Sequence, residues 1–334
     1  MLALAALLCA GAGHAQDAAG IPGNLPKPPT AILDETLAIG GEEIEARKFA
    51  SRLTVETYVN GEGPFRFVVD SGADTSVVGE RLAGRLSLPS GDAVLLHGVT
   101  ESRVVDSVIV ESLRLGPTTT TDLELPVLDE RDLGGDGMIG LDALVEQRLM
   151  MDFDERIITV DDAFTPAPFN DRMIVVKGRL DRGQLILAEV EVDRLDVEAV
   201  VDTGSEITIG NTALRDRLKL RRADRLRKIK VYGVTGAMME VDFAVVKKLK
   251  LGPIQLYNVP IAFADIPPFE VLGMQDEPSL LLGTDLMENF RRVSLDFKDR
   301  KARFQLKKCA NSAVKIRTSE YASRLGADRS SACS

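Results

Sequence analysis

The sequence predicts an all-β protein made of two tandem lobes with few short helices. Three observations carry this. One chemical phrase occurs twice: Val68-Val69-Asp70-Ser71-Gly72 is answered 132 positions later by Val200-Val201-Asp202-Thr203-Gly204. Each copy is preceded by two short β-branched runs joined at a turn, the pattern of a hairpin. Further landmarks follow both copies in the same order, as expected of an internal duplication.

The elements can be taken in chain order. Leu53 to Val59 reads as a strand that turns through Asn60-Gly61-Glu62-Gly63-Pro64 into a second strand, Phe65 to Val69. In the second half Leu185 to Val192 turns through Asp193 to Asp196 into Val197 to Val201. A short helical pattern follows each Asp loop, at Gly79 to Leu86 and at Asn211 to Leu218. His97-Gly98-Val99-Thr100 is matched by Tyr232-Gly233-Val234-Thr235, and Leu113-Arg114-Leu115-Gly116-Pro117 by Leu249-Lys250-Leu251-Gly252-Pro253. Met138-Ile139-Gly140-Leu141-Asp142 is matched by Leu281-Leu282-Gly283-Thr284-Asp285, and Asp152-Phe153 by Asp296-Phe297. The spacing between partners widens along the chain, which places insertions in the second copy around Ile266 to Pro278.

These landmarks divide the chain into a leading segment (residues 1–15), a Pro-rich spacer (16–45), a first lobe (46–162), a linker (163–171), a second lobe (172–308) and a polar tail (309–334), part of which is expected to be mobile. Met1 to Gln16 is Ala/Leu-rich and ends Gly13-His14-Ala15-Gln16, so a signal peptide cleaved after Ala15 and export to a periplasmic or extracellular space are expected. Cys9 raises a lipid anchor as an alternative, against which the bulky Leu8 speaks. The segment is too short to span a bilayer, so no integral membrane segment is expected in the mature chain. Cys309 and Cys333 either close a disulfide in the tail or remain free thiols.

Composition narrows the function. A hydrophobic fraction of 45% and a charged fraction of 28% are those of a soluble globular protein. The net charge of −10 argues against nucleic acid as a partner, and the one basic run, Arg221 to Lys228, reads as a solvated loop or face. No Cys or His cluster has metal-ligand spacing, and no phosphate-cradling glycine loop stands between a strand and a helix, so neither metal nor cofactor is expected. His97 is the one histidine left after cleavage, which gives little material for a His-dependent triad.

The repeated acids carry the chemistry. A carboxylate at the end of an apolar strand is costly unless it is used. Two of them facing each other share a proton and can serve together as general acid and general base toward a water. Gly72 and Gly204 permit close backbone approach after each Asp, and the hydroxyls of Ser71 and Thr203 can bond backbone groups across the two loops.

Val68 to Asp74 resembles the active-site sequence of retropepsins, and Val201 to Ser205 resembles that of pepsins. The apolar pairs ending at Gly140 and Gly283 resemble the strand that passes beside the Asp loop in these proteases. Over residues 50–306 each half is similar to a bacterial retropepsin-like aspartic protease domain. The resemblance implies two closed β lobes in a pepsin-like bilobal arrangement, with Asp70 and Asp202 as the catalytic pair of an endopeptidase. It implies an extended polypeptide as substrate and a flap hairpin folding over it. By position the flaps are His97 to Thr100 and Tyr232 to Met239, with Gly98, Gly233 and Gly236 permitting flexure. Tyr232 is offered as a flap tyrosine, an ordinary strand residue being the alternative. Asp74 and Glu206 match acids that contact substrate backbone, or serve as loop-stabilising acids. Retropepsins pair two identical lobes, whereas this chain carries both. A monomer with intramolecular lobe pairing is expected, and pairing between chains is the alternative. The rival functional reading keeps the fold and drops the chemistry: a catalytically idle peptide-binding or assembly module.

Overall fold

The computed structural model describes residues 54–116, 118–144, 147–155, 157–162, 173–220, 226–307 and 315–318. The leading segment, the Pro-rich spacer, the linker, residues 221–225 of the basic run, Cys309 and Cys333 lie outside the described residues.

The first lobe runs β1 (Thr54–Val59), β2 (Glu62–Val69), β3 (Val77–Gly79), α1 (Glu80–Arg85), β4 (Val94–His97), β5 (Ser102–Val105), β6 (Ser107–Leu115), β7 (Thr118–Leu128), α2 (Glu130–Leu133), β8 (Gly137–Ile139), α3 (Leu141–Leu144), β9 (Gln147–Asp152) and β10 (Ile157–Asp162). The second runs β11 (Met173–Asp181), β12 (Gln184–Val192), β13 (Leu195–Val201), β14 (Ile209–Gly210), α4 (Thr212–Arg217), β15 (Arg227–Tyr232), β16 (Met238–Leu251), β17 (Ile254–Phe263), α5 (Pro267–Val271), β18 (Ser279–Leu282), α6 (Thr284–Met287), β19 (Phe290–Asp296), β20 (Lys301–Leu306) and β21 (Lys315–Thr318).

Both lobes close on the same ring. In the first the order is β1-β2-β8-β3-β7-β6, sealed by β6 pairing back to β1. In the second it is β12-β13-β18-β14-β17-β16, sealed by β16 pairing back to β12. Closure removes free edges from the ring and lets alternate residues fill its interior. Val55, Val59, Phe67, Val69, Leu113 and Leu125 fill the first ring, and Leu187, Val190, Val201, Leu249, Leu256 and Phe263 fill the second. Each such side chain contributes about 1.5–3 kcal/mol by leaving water.

The opening hairpins are tighter than the sequence reading has them. Asn60 and Gly61 (φ 50° and 81°) form a two-residue turn and the strand resumes at Glu62, while Asp193 and Arg194 (φ 47° and 73°) do the same in the second lobe. Two successive positive φ angles give a turn whose twist matches that of its flanking strands. Both short helices form where their patterns lie, and Asn211 caps α4 by accepting the N–H of Leu214 at 2.8 Å. Arg227 and Lys228, the end of the basic run, open β15 as exposed residues, and Lys228 pairs with Asp242 at 2.8 Å. Within the polar tail, Lys315–Thr318 adds a strand to β17.

The strands β10-β9-β19-β20-β11 join the lobes and run on into the second ring, where β11 pairs with β12. The seam is β9 against β19, antiparallel, with Arg148 opposite Asp296 and Asp152 opposite Arg292. Those are repeat partners, so the seam has the reciprocity of a two-fold interface inside one chain. Arg148 Nε meets Asp296 Oδ2 at 3.1 Å with both side chains almost fully buried, and Arg292 meets Asp152 at 2.5 Å in a more open setting. Leu149, Met151, Val293 and Leu295 bury the apolar face of the same seam.

Candidate active site

Each acid leaves the end of a central strand. Asp70 follows β2, which runs parallel to β8, and the N–H of Asp70 donates to Ile139 O at 2.9 Å. Asp202 follows β13, parallel to β18, and its N–H donates to Leu282 O at 3.0 Å. The apolar-glycine strands lie close against the loops. A Cβ at Gly140 would sit 2.5 Å from the carbonyl carbon of Thr75, and one at Gly283 would sit 2.5 Å from that of Ile207. No side chain fits at either place.

The loops hold the carboxylates identically. Oδ1 of Asp70 accepts the N–H of Gly72 (2.8 Å) and of Ala73 (3.1 Å). Oδ1 of Asp202 accepts those of Gly204 (2.8 Å) and Ser205 (3.0 Å). The neighbouring hydroxyls cross between lobes. Thr203 Oγ1 accepts the N–H of Ser71 at 2.9 Å and donates to Val69 O at 2.8 Å, while Ser71 Oγ accepts the N–H of Thr203 at 3.1 Å and donates to Val201 O at 2.9 Å. The two glycines seat the opposite acid: a Cβ at Gly72 would lie 2.5 Å from Cγ of Asp202, and one at Gly204 would overlap the carboxyl of Asp70. The facing pair inferred from the sequence is therefore assembled, one acid from each lobe.

The environment separates the two acids. Asp202 is buried and Asp70 half-buried. Burial pushes the Asp202 carboxyl well above the ordinary range, the charge of Asp70 and a hydrogen bond with it push the same way, and the N–H groups of Ser205 and Gly204 oppose.

A second layer braces the loops, and the sequence reading did not assign it. Ser76 Oγ donates to Asp142 Oδ1 at 2.6 Å and accepts the N–H of Gly140 at 3.0 Å. Thr208 Oγ1 donates to Asp285 Oδ1 at 2.8 Å and accepts the N–H of Gly283 at 3.2 Å. Burial raises the pKa of Asp142, against the pull of Ser76. The signal was present, since Asp142 and Asp285 end a repeated landmark.

Two hairpins stand at the positions that the sequence reading gave to flaps. β4 and β5 form one hairpin whose tip is tied by the N–H of Gly98 donating to Glu101 O at 2.9 Å. β15 and β16 form the other, with the N–H of Gly233 donating to Ala237 O at 2.9 Å. The tips meet: a Cβ at Gly233 would overlap Thr100, and Arg103 Nη1 donates to Thr235 O at 3.2 Å. Val99 packs against the second-lobe cluster of Ile266, Phe269 and Leu281, and Val234 against the first-lobe cluster of Leu133 and Met138. Each hairpin tip is thus anchored in the opposite lobe.

The remaining sequence candidates divide. Gly98 and Gly233 occupy the tips of the two hairpins. Tyr232 ends β15, half-buried at the foot of its tip, and pairs in register with Met238. Asp74 is exposed and accepts from Gln184 Nε2 at 3.2 Å, and Glu206 is half-buried two residues past Gly204. A surface cleft of about 760 Å³, lined by residues such as Pro64, Arg66, Arg85 and Asp136, shares no residue with the Asp loops. Among the described residues, no helix is long and apolar enough to cross a membrane.

A search of curated proteins returns no match to this chain. A family model described as aspartyl protease matches it twice, over residues 55–143 and 188–286, more than half of its length and once per lobe. With both matches spanning an Asp loop and the glycine strand beside it, the chain belongs to the aspartyl protease family.

Proposed function

We propose that this protein is an aspartic endopeptidase that hydrolyses polypeptides through a water activated between Asp70 and Asp202. The observation that carries the reading is the reciprocal seating of the two acids, each held by two N–H donors of its own loop and packed on the glycine of the other. A protein that only bound peptides would have no need to force two carboxyls together at the cost of burying one.

Asp202, whose environment favours the protonated form, is the acid, and Asp70 is the base of the coupled pair. Asp70 takes a proton from the water as its oxygen attacks the amide carbonyl. Asp202 gives its proton to the developing oxyanion. The proton gained by Asp70 then passes to the amide nitrogen as the C–N bond breaks, and one hydroxyl proton of the gem-diol returns to Asp202, which restores the starting pair. The peptide lies extended between the loops and the flap hairpins, where it can add main-chain hydrogen bonds as a strand does. The flaps must open to admit it. We further infer export after cleavage at Ala15, from the Ala/Leu-rich leading segment, and action as a single chain with both lobes supplied in cis.

The test is cleavage of a mixed peptide library by residues 16–334 between about pH 3 and 8, beside Asp70→Asn and Asp202→Asn. Cleavage by the parent and loss in both variants is the expected result. A folded parent that cleaves nothing across that range refutes the reading. Recovery of activity on mixing the two variants would move the site to an interface between chains.

A further inference from the structure

Gln184 begins β12 in the second lobe, but its amide serves the first. The residue is 3% exposed. Its Nε2 donates to Gly72 O at 2.8 Å and to Asp74 Oδ1 at 3.2 Å. Two acceptors on one side fix the amide orientation, and Oε1 is left buried without a hydrogen-bond partner among the described residues. A side chain kept only for packing would not bury an idle acceptor.

The contact matters because of what lies across the peptide plane. The carbonyl of Gly72 and the N–H of Ala73 belong to one planar unit, so fixing one aims the other. That N–H donates to Asp70 Oδ1 at 3.1 Å. A continuous chain of hydrogen bonds therefore runs from the second lobe through the Gly72–Ala73 peptide to the Asp70 carboxylate. Bonds in series polarise one another and strengthen the last. The repeat puts Arg52, outside the described residues, at the sequence position that Gln184 fills in the second half.

We propose that Gln184 is a positioning residue: it couples docking of the second lobe to the orientation and charge of Asp70 by holding the Gly72–Ala73 peptide. This rests on the reading of Asp70 as the base. The titratable groups around the tether are Asp70, Asp74, Asp202 across the pair, and Asp142, whose N–H bonds Asp74 O at 3.3 Å.

The experiment compares kcat, KM and pH profile of the parent, Gln184→Leu and Gln184→Glu on a peptide that the parent cleaves, with thermal melting of each. Gln184→Leu should lower kcat by about 10- to 100-fold with KM little changed. Its acidic limb should move to higher pH, because a less well bonded Asp70 ionises later. Gln184→Glu should work only while its own carboxyl is protonated and can donate to Gly72 O, so activity should fall as pH rises from the ordinary Glu value of about 4.3 through the higher value that burial and the neighbouring Asp74 impose. A Leu variant with the parent's kcat and acidic limb overturns the proposal, as does a loss that follows melting temperature with no change in either profile. Absence of Asp70-dependent cleavage in the parent would refute the dyad reading instead. The tether is then read from melting: the Glu variant should lose stability relative to the parent as pH rises through that same interval, and parallel curves would overturn it.

Discussion

Thr203→Val keeps the shape of the side chain and removes its hydroxyl, which makes it a direct probe of how the lobes are held at the site. The hydroxyl serves two backbone groups of the other lobe, the N–H of Ser71 and the carbonyl of Val69. Ser71 is 0% exposed and Thr203 5%, so water cannot replace the lost partners. Each group left unsatisfied costs about 1–3 kcal/mol, giving about 2–6 kcal/mol for the pair. That is a large share of the roughly 5–15 kcal/mol that holds a typical domain folded. The chain has no tryptophan, so denaturant unfolding is best followed by far-ultraviolet circular dichroism, with the midpoint and slope read together. Thr203→Ser is the control, since it retains the hydroxyl and gives up one methyl. Ser71→Ala, which orphans the N–H of Thr203 and the carbonyl of Val201, should cost about as much as Thr203→Val. A Thr203→Val protein within about 0.5 kcal/mol of the parent would show that these crossed bonds do not hold the lobes together.

The other expectations concern charge and close packing. Because the carboxyl of Asp202 is raised in the folded protein, the native state binds more protons than the unfolded chain above about pH 4, and this acid lowers stability as pH rises through that region. Asp202→Asn should therefore melt higher than the parent at neutral pH and converge with it below about pH 4, and curves that stay apart in acid would contradict this. Gly204→Ala should disrupt the site outright, because the new methyl has to displace the carboxyl of Asp70; activity close to the parent's would mean that the loops relax apart. Asp296→Ala strands the buried Arg148 and should cost about 3–5 kcal/mol by denaturant unfolding, more than Asp152→Ala, whose partner Arg292 is 31% exposed. The reverse order would show that burial does not set the value of these pairs. Asp296 has a lowered pKa: burial opposes, and the N–H of Asp299 with Arg303 and Arg148 outweighs it. Its contribution is present above about pH 4 and is lost on acidification, which a pH titration of the Asp296→Ala difference would reveal as a narrowing gap.

What could be read from the sequence is what local pattern writes twice. The Asp loops, their hydroxyls, the glycine strands and the two short helices each depend on a handful of contiguous residues, and repetition turned weak motifs into firm ones. The two hairpin tips are legible by the same route, through the paired Gly98-Val99-Thr100 and Gly233-Val234-Thr235. Their exchange between lobes was not legible, because a valine in a turn carries no mark of the cluster it will enter. Gln184 was missed for a similar reason: a glutamine at the start of a strand looks like any half-polar edge residue until the fold brings Gly72 to it. The two-residue turn at Asn60-Gly61 was overdrawn because Gly63 and Pro64 read as turn residues, whereas both sit within β2 at the exposed end of the hairpin.

The seam of β9 and β19 binds the halves in a reciprocal register, yet the halves are not copies. In an isologous dimer of identical lobes, a peptide entering the cleft from amino to carboxyl end meets the same surface as one entering the other way round. Here the two directions are different complexes. A peptide bound there as proposed would meet a half-buried acid from one lobe and a buried acid from the other. Fusing the lobes therefore gives the cleft a sense of direction. Substitutions in one lobe can alter the cleft on that side without altering its mirror position, a freedom that two identical lobes do not have.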